Sequence, residues 1–164
     1  MSHLLIMIGI NGNQVKVVSN PSKVLALLDS TFLHSKITIK ENNTKIFAFD
    51  LPTYHDLANR GISHSLSDDY LTKTEREELH DFVNSLYNWY DKTPESKNLE
   101  FDGINLLSII NPFEFHEYFL SNLITFFSIK KIIEQEKPHE IFVTERLSKF
   151  LDSFFDKKNI TVLN

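Results

Sequence analysis

Three observations predict an α/β fold, a three-layer sandwich with a mostly parallel sheet. Short β-branched runs alternate with helical patterns along the chain, several helical patterns open on a capping residue, and the composition is that of a globular domain. The 164 residues are 41% hydrophobic, which supports a core large enough to need neither disulfide nor metal. With 17 Lys+Arg against 22 Asp+Glu and no basic cluster, the chain lacks the face that binds a nucleic-acid backbone. The absence of cysteine excludes thiol catalysis and cysteine-held metals, and 4 Gly are too few for a glycine-rich phosphate loop.

The elements follow in order. Leu4 to Ile10 and Val15-Lys16-Val17-Val18-Ser19 flank Asn11-Gly12-Asn13, whose Asn-Gly pair suits a hairpin turn, and they predict an antiparallel hairpin at the sheet's N-terminal edge. Asn20-Pro21 then reads as a cap and first helical residue for a helix from Ser22 to about Phe32. After the turn Glu41-Asn42-Asn43-Thr44, the run Lys45 to Asp50 is a buried strand. A short helix from about Pro52 to Arg60 closes on Gly61. Ile62 to Leu66 reads as a strand and Ser67-Asp68-Asp69-Tyr70 as the loop leaving it. Thr72 with Glu75, and Thr74 with Glu77, form two overlapping capping boxes for a helix through about Tyr90.

Asp91 to Asn98 is loop-like but too short to separate domains, so one domain is expected. Asn111-Pro112-Phe113-Glu114 opens a long helix to about Gln135. Its aromatic residues Phe113, Phe115, Tyr118, Phe119, Phe126 and Phe127 are expected to pack between the sheet and the preceding helix. Glu140 to Thr144 is a strand, Leu147 to Phe155 an amphipathic helix and Ile160 to Leu163 a last strand. The strands at Val15–Ser19, Lys45–Asp50, Ile62–Leu66, Ile141–Thr144 and Ile160–Leu163 are expected to run parallel, which makes the domain Rossmann-like. A terminal strand with no helix after it predicts that this single domain, residues 1–164, is a fragment of a longer chain.

No export signal precedes the first apolar run, and charges interrupt the stretch from Phe113 to Ile133, so a cytoplasmic protein is expected. The Asn-X-Thr matches at Asn42 and Asn159 therefore carry no weight.

Ligands of open parallel sheets bind beyond the carboxyl ends of the strands. The candidates there are Ser19, Asn20, Asp50, Asp68, Asp69, Thr144, Glu145 and Arg146. Asn20 also reads as a helix cap, and Asp68 and Asp69 as a solvated loop. Phe49-Asp50-Leu51-Pro52-Thr53 loosely resembles the motif of a haloacid-dehalogenase-type phosphatase, but Pro52 replaces the second Asp of that motif. His64 with Asp68 or Asp69 has metal-ligand chemistry, yet a surface loop explains these residues better, and no metal or other cofactor is expected.

The segment Ile129-Lys130-Lys131-Ile132-Ile133-Glu134-Gln135-Glu136-Lys137-Pro138-His139-Glu140-Ile141-Phe142-Val143-Thr144 resembles the N-terminal domains of GT-B glycosyltransferases that build surface polysaccharides. In those domains a helix ends in a Lys-Pro-Asp-like turn before a buried strand and a substrate-facing loop, and here His139 stands where Asp is usual. Leu99-Glu100-Phe101-Asp102-Gly103-Ile104-Asn105-Leu106, before the aromatic helix, is similar to the same group. No glycine-rich acceptor loop follows the first strand.

The resemblance implies an acceptor-side half that takes a sugar or lipid-linked acceptor, with the nucleotide sugar held by an absent C-terminal domain and no turnover by this chain alone. Glu145 and Asp50 are then the acid/base candidates and Arg146 an anion contact. Peripheral membrane association of the longer protein belongs to the same reading. The alternatives are a non-catalytic interaction module that dimerises through the helix at 113–133, and a phosphatase-like hydrolase centred on Asp50.

Overall fold

The computed structural model describes residues 4–10, 13–19, 23–34, 44–87, 99–109, 111–151 and 155–163. Several expectations fall outside them: the Asn11-Gly12 turn, the Asn20-Pro21 cap, the turn at 41–43, the helix end at 88–90, the loop at 91–98 and residues 152–154. Contacts divide the chain into two compact units, residues 1–70 with 128–164 and residues 71–127.

The first unit is built on five strands: β3 (Val24–Leu28), β4 (Thr44–Ala48), β5 (Ser65–Leu66), β8 (Glu140–Thr144) and β9 (Ile160–Leu163). All pair in parallel, in the order β5-β4-β3-β8-β9. Chain order therefore runs outward from β3 in one direction and resumes at β8 in the other, as in a doubly wound, Rossmann-like sheet.

The helix expected from Ser22 to Phe32 is replaced by β3, the central strand. Val24-Leu25-Ala26-Leu27-Leu28 is buried at every position, whereas a helix on a sheet buries one stripe. Flanked by β4 and β8, the run also finds partners for its main-chain groups on both sides. A short, wholly apolar run does not distinguish strand from helix by periodicity, and here the helical reading was wrong.

The hairpin forms, with β1 (Leu4–Ile10) antiparallel to β2 (Asn13–Ser19), Leu4 opposite Ser19 and Ile10 opposite Asn13. It makes a two-stranded sheet of its own, so Val15–Ser19 does not belong to the parallel sheet. Ile62–Leu66 shortens to β5, and Ser67–Tyr70 is a 3-10 turn rather than an irregular loop.

The pleat sorts the core into two layers. Val24, Ala26, Leu28, Ile46 and Ala48 face Phe32 and Leu57, the latter from α1 (Leu51–Asn59). Leu25, Leu27, Phe47, Ile141 and Val143 face Ile129 and Ile132 of α3 (Pro112–Glu136) and Leu147 and Leu151 of α4 (Glu145–Leu151). Each Val, Leu, Ile or Phe among them is worth about 1.5–3 kcal/mol when fully buried. Asp50 caps α1, and Gly61 follows that helix at φ 69°, a left-handed conformation that favours glycine.

In the second unit α2 (Lys73–Ser85) uses one of the two predicted capping boxes, Thr72 with Glu75. It ends at Ser85, short of the expected Tyr90, with Leu86 as its C-cap. Glu100–Phe101 (β6) and Ile104–Asn105 (β7) form a small hairpin around Asp102 and Gly103, both at positive φ, as an Asp-Gly turn requires. The aromatic start of α3 is not the buried element expected: Phe113 is 79% and Tyr118 67% exposed. Further along α3, Ile129 and Ile132 are buried in the core on the chain's own sheet. No described helix is long and apolar enough to cross a membrane.

Candidate functional site

The strand order reverses between β3 and β8, the kind of point beyond whose carboxyl ends open parallel sheets bind ligands. The residue that leaves β3 is Asp29, whose side chain is wholly buried. Its Oδ1 accepts from the Thr31 N–H at 3.2 Å and from the Thr31 hydroxyl at 2.6 Å. Its Oδ2 accepts from Arg146 Nε at 2.7 Å, although the Arg146 side chain is 56% exposed. Burial pushes the Asp29 carboxyl up, but the hydrogen bonds from Thr31 and Arg146 outweigh it and hold the group below the usual carboxylate range.

Asp50, leaving β4, joins the same edge. Its Oδ2 accepts from the Ser30 N–H at 2.7 Å and its Oδ1 from the Thr53 N–H at 2.9 Å. Side chains thus link three adjacent strand ends: Asp50 reaches the turn after β3, and Asp29 in that turn reaches Arg146 after β8. The linkage makes the edge rigid where a ligand would meet it. Asp50 serves in it as a cap and a tie, with each oxygen already on a main-chain donor.

Thr31, Glu145, Arg146, Lys149 and Leu163 line an open pocket of about 810 Å³ beside this linkage. That volume is in the range of small-molecule sites. Its wall offers donors from Arg146 and Lys149 and acceptors from Glu145 and the Thr31 hydroxyl, with Leu163 as an apolar contact. Such interleaving suits a hydroxylated ligand.

The predicted site residues therefore separate. Thr144, Glu145 and Arg146 meet at the switch point, with Thr144 buried and the other two exposed. Asp50 shares their edge. Asp68 and Asp69 leave β5 at the far side of the sheet, three strand spacings or about 14 Å from β8. Ser19 ends β2 in the separate hairpin, and Asn20 lies outside the described residues. Asp29, Thr31 and Lys149 were missed. Reading Val24–Leu28 as a strand would have placed Asp29 among the residues that follow strands.

His64 gives its Nδ1 proton to the Ile62 carbonyl at 2.7 Å and packs edge-on to Tyr54. Among the described residues no three His, Asp or Glu side chains group as a metal site.

The amino edge of the sheet carries a second carboxylate. Glu136, at the end of α3, accepts from Lys45 Nζ and the Tyr70 hydroxyl, each at 2.8 Å, and from Lys23 Nζ at 3.4 Å. Burial pushes Glu136 up, but Lys45, Tyr70 and Lys23 together hold it below its usual value. Tyr70 shifts the other way, to about 12, through burial and the Glu136 charge. These contacts anchor the end of α3 at the amino edge of the sheet.

No family model, curated protein or solved structure matches the chain.

Proposed function

We propose that the chain is the acceptor-side domain of a glycosyltransferase of surface polysaccharide biosynthesis, and that its acceptor sits in the crevice between β3 and β8. The observation that carries this reading is the Asp29–Arg146 pair, which fixes an exposed guanidinium beside Glu145 in a pocket at the switch point. The resemblance noted in the sequence supports it, since the matching segment runs through the end of α3 and β8 to Thr144, next to Glu145. Lys137, in the Lys-Pro turn of that segment, takes a left-handed φ of 48°, which ends the helix and turns the chain into β8.

In this reading the acceptor hydroxyl attacks the anomeric carbon of a nucleotide sugar. The bond from that carbon to the phosphate oxygen breaks, and the nucleoside diphosphate leaves with the electron pair. Glu145 takes the hydroxyl proton, while Arg146 and Thr31 hold neighbouring groups of the acceptor. The nucleotide sugar is held by a second domain, because no glycine-rich phosphate cradle occurs in this sequence.

Two measurements test the proposal. Calorimetry of this chain with uridine, guanosine and cytidine diphosphate sugars should show no tight binding, and tight binding would overturn the division of labour. In the two-domain enzyme, Glu145→Gln should leave the melting temperature unchanged and lower transfer by about 10²-fold or more. Full activity in that variant removes Glu145 as the base.

A further inference from the structure

We propose that the crevice reads an anionic group on its ligand, a carboxylate or a phosphate monoester carried by the acceptor sugar. This rests on the acceptor-side reading and names the acceptor's chemical class. Arg146 commits Nε to Asp29 and makes no other hydrogen bond or ion pair among the described residues. Its two Nη groups therefore remain as a planar fork on an exposed side chain, the geometry that takes two oxygens of a carboxylate or phosphate at once.

Asp29 cannot compete for that fork, because its carboxylate is wholly buried behind the guanidinium and occupied by Thr31 and Arg146. What it does is hold the guanidinium plane. An exposed arginine ordinarily loses side-chain entropy on binding, and an arginine already fixed through Nε loses less. Lys149, one turn further along α4 and lining the same pocket, is exposed and forms no ion pair among the described residues. Of the three charged side chains on the pocket wall, two are positive, and Glu145 is left to accept from the sugar hydroxyls.

The experiment titrates this chain with four probes, followed by amide chemical shifts: methyl glucoside, glucuronate, glucose 1-phosphate and inorganic phosphate. Glucuronate, glucose 1-phosphate or both should bind at least about tenfold more tightly than methyl glucoside, and the tighter of the two names the source of the charge. Lys149→Gln, a change at an exposed side chain outside the Asp29 pair, should reduce that preference severalfold and leave the melting temperature unchanged. Arg146→Lys, which keeps the charge and loses the fork, should reduce it as well.

Equal binding of the neutral and charged sugars overturns the anionic reading and leaves the acceptor reading standing. Inorganic phosphate binding as tightly as glucose 1-phosphate, with no binding of methyl glucoside, overturns the acceptor reading instead. A preference that survives both variants overturns the assignment to Arg146 and Lys149, and no binding by any probe overturns both readings.

Discussion

Arg146 Nε donates to Asp29 Oδ2 at 2.7 Å, across the one place in the sheet where the strand order reverses. The contact joins the first residue after β3 to the second residue after β8, 117 positions apart in the chain. It is a tertiary contact in the full sense, with a counterpart in the Glu136 contacts at the other edge.

Removing the arginine should cost more than removing an ordinary surface ion pair. Arg146→Ala leaves the buried Asp29 carboxylate with Thr31 alone, a loss of about 1.5–3 kcal/mol for a hydrogen bond to a charged group. Combined with Asp29→Asn in a double-mutant cycle read by urea unfolding, the two should couple by about 1 kcal/mol or more. Coupling of only about 0.3 kcal/mol would reduce the pair to the worth of an exposed salt bridge.

Acid should destabilise the fold through the two carboxylates. Asp29 and Glu136 both lie below their ordinary values of 3.8 and 4.5 in the folded state, so folding favours their charged forms. Their contribution is complete above those ordinary values and is lost as pH falls through the lower folded ones. Melting temperature followed from about pH 5 to pH 2 should fall less steeply in Asp29→Asn with Glu136→Gln than in the native chain, from a lower plateau. Parallel acid limbs would show that other groups govern acid unfolding.

Tyr70 reports directly on Glu136. With its hydroxyl donated to Oε1 at 2.8 Å, it titrates at about 12. Glu136→Gln removes the negative charge and should move the titration toward the ordinary value of 10.0. Ring-labelled NMR, assigned with Tyr70→Phe, should show the Tyr70 signal still at alkaline pH in the native chain and shifting in the variant. Identical titrations would mean that burial alone sets the value.

The two overlapping capping boxes make a local test. Thr72→Ala should cost about 1 kcal/mol, because the Thr72 hydroxyl accepts from the Glu75 N–H and the Glu75 carboxylate accepts from the Thr72 N–H. Thr74→Ala should stay within about 0.5 kcal/mol, as a surface change inside the first turn. Equal losses in chemical denaturation would put the helix start elsewhere.

What the sequence determined by itself lies in local, short-range terms. The α/β class, the box that opens α2, the short helix that closes on Gly61, the long helix from Pro112 and the strand Glu140–Thr144 are each specified by neighbours within a few residues. Hence Thr144, Glu145 and Arg146 were legible as residues at the carboxyl end of a strand, since the buried pattern of Glu140–Thr144 is local.

Tertiary structure decided the rest. Val24–Leu28 is apolar at all five positions, and only partners on both sides and layers on both faces make it a strand rather than a helix. Its place at the centre of the sheet then decided which loops share the crevice. It brought in Asp29 and Thr31 and left Asp68, Asp69 and Ser19 apart, because neighbourhood along the edge of a sheet depends on strand order, and strand order is set by long-range pairing and packing that no local window contains.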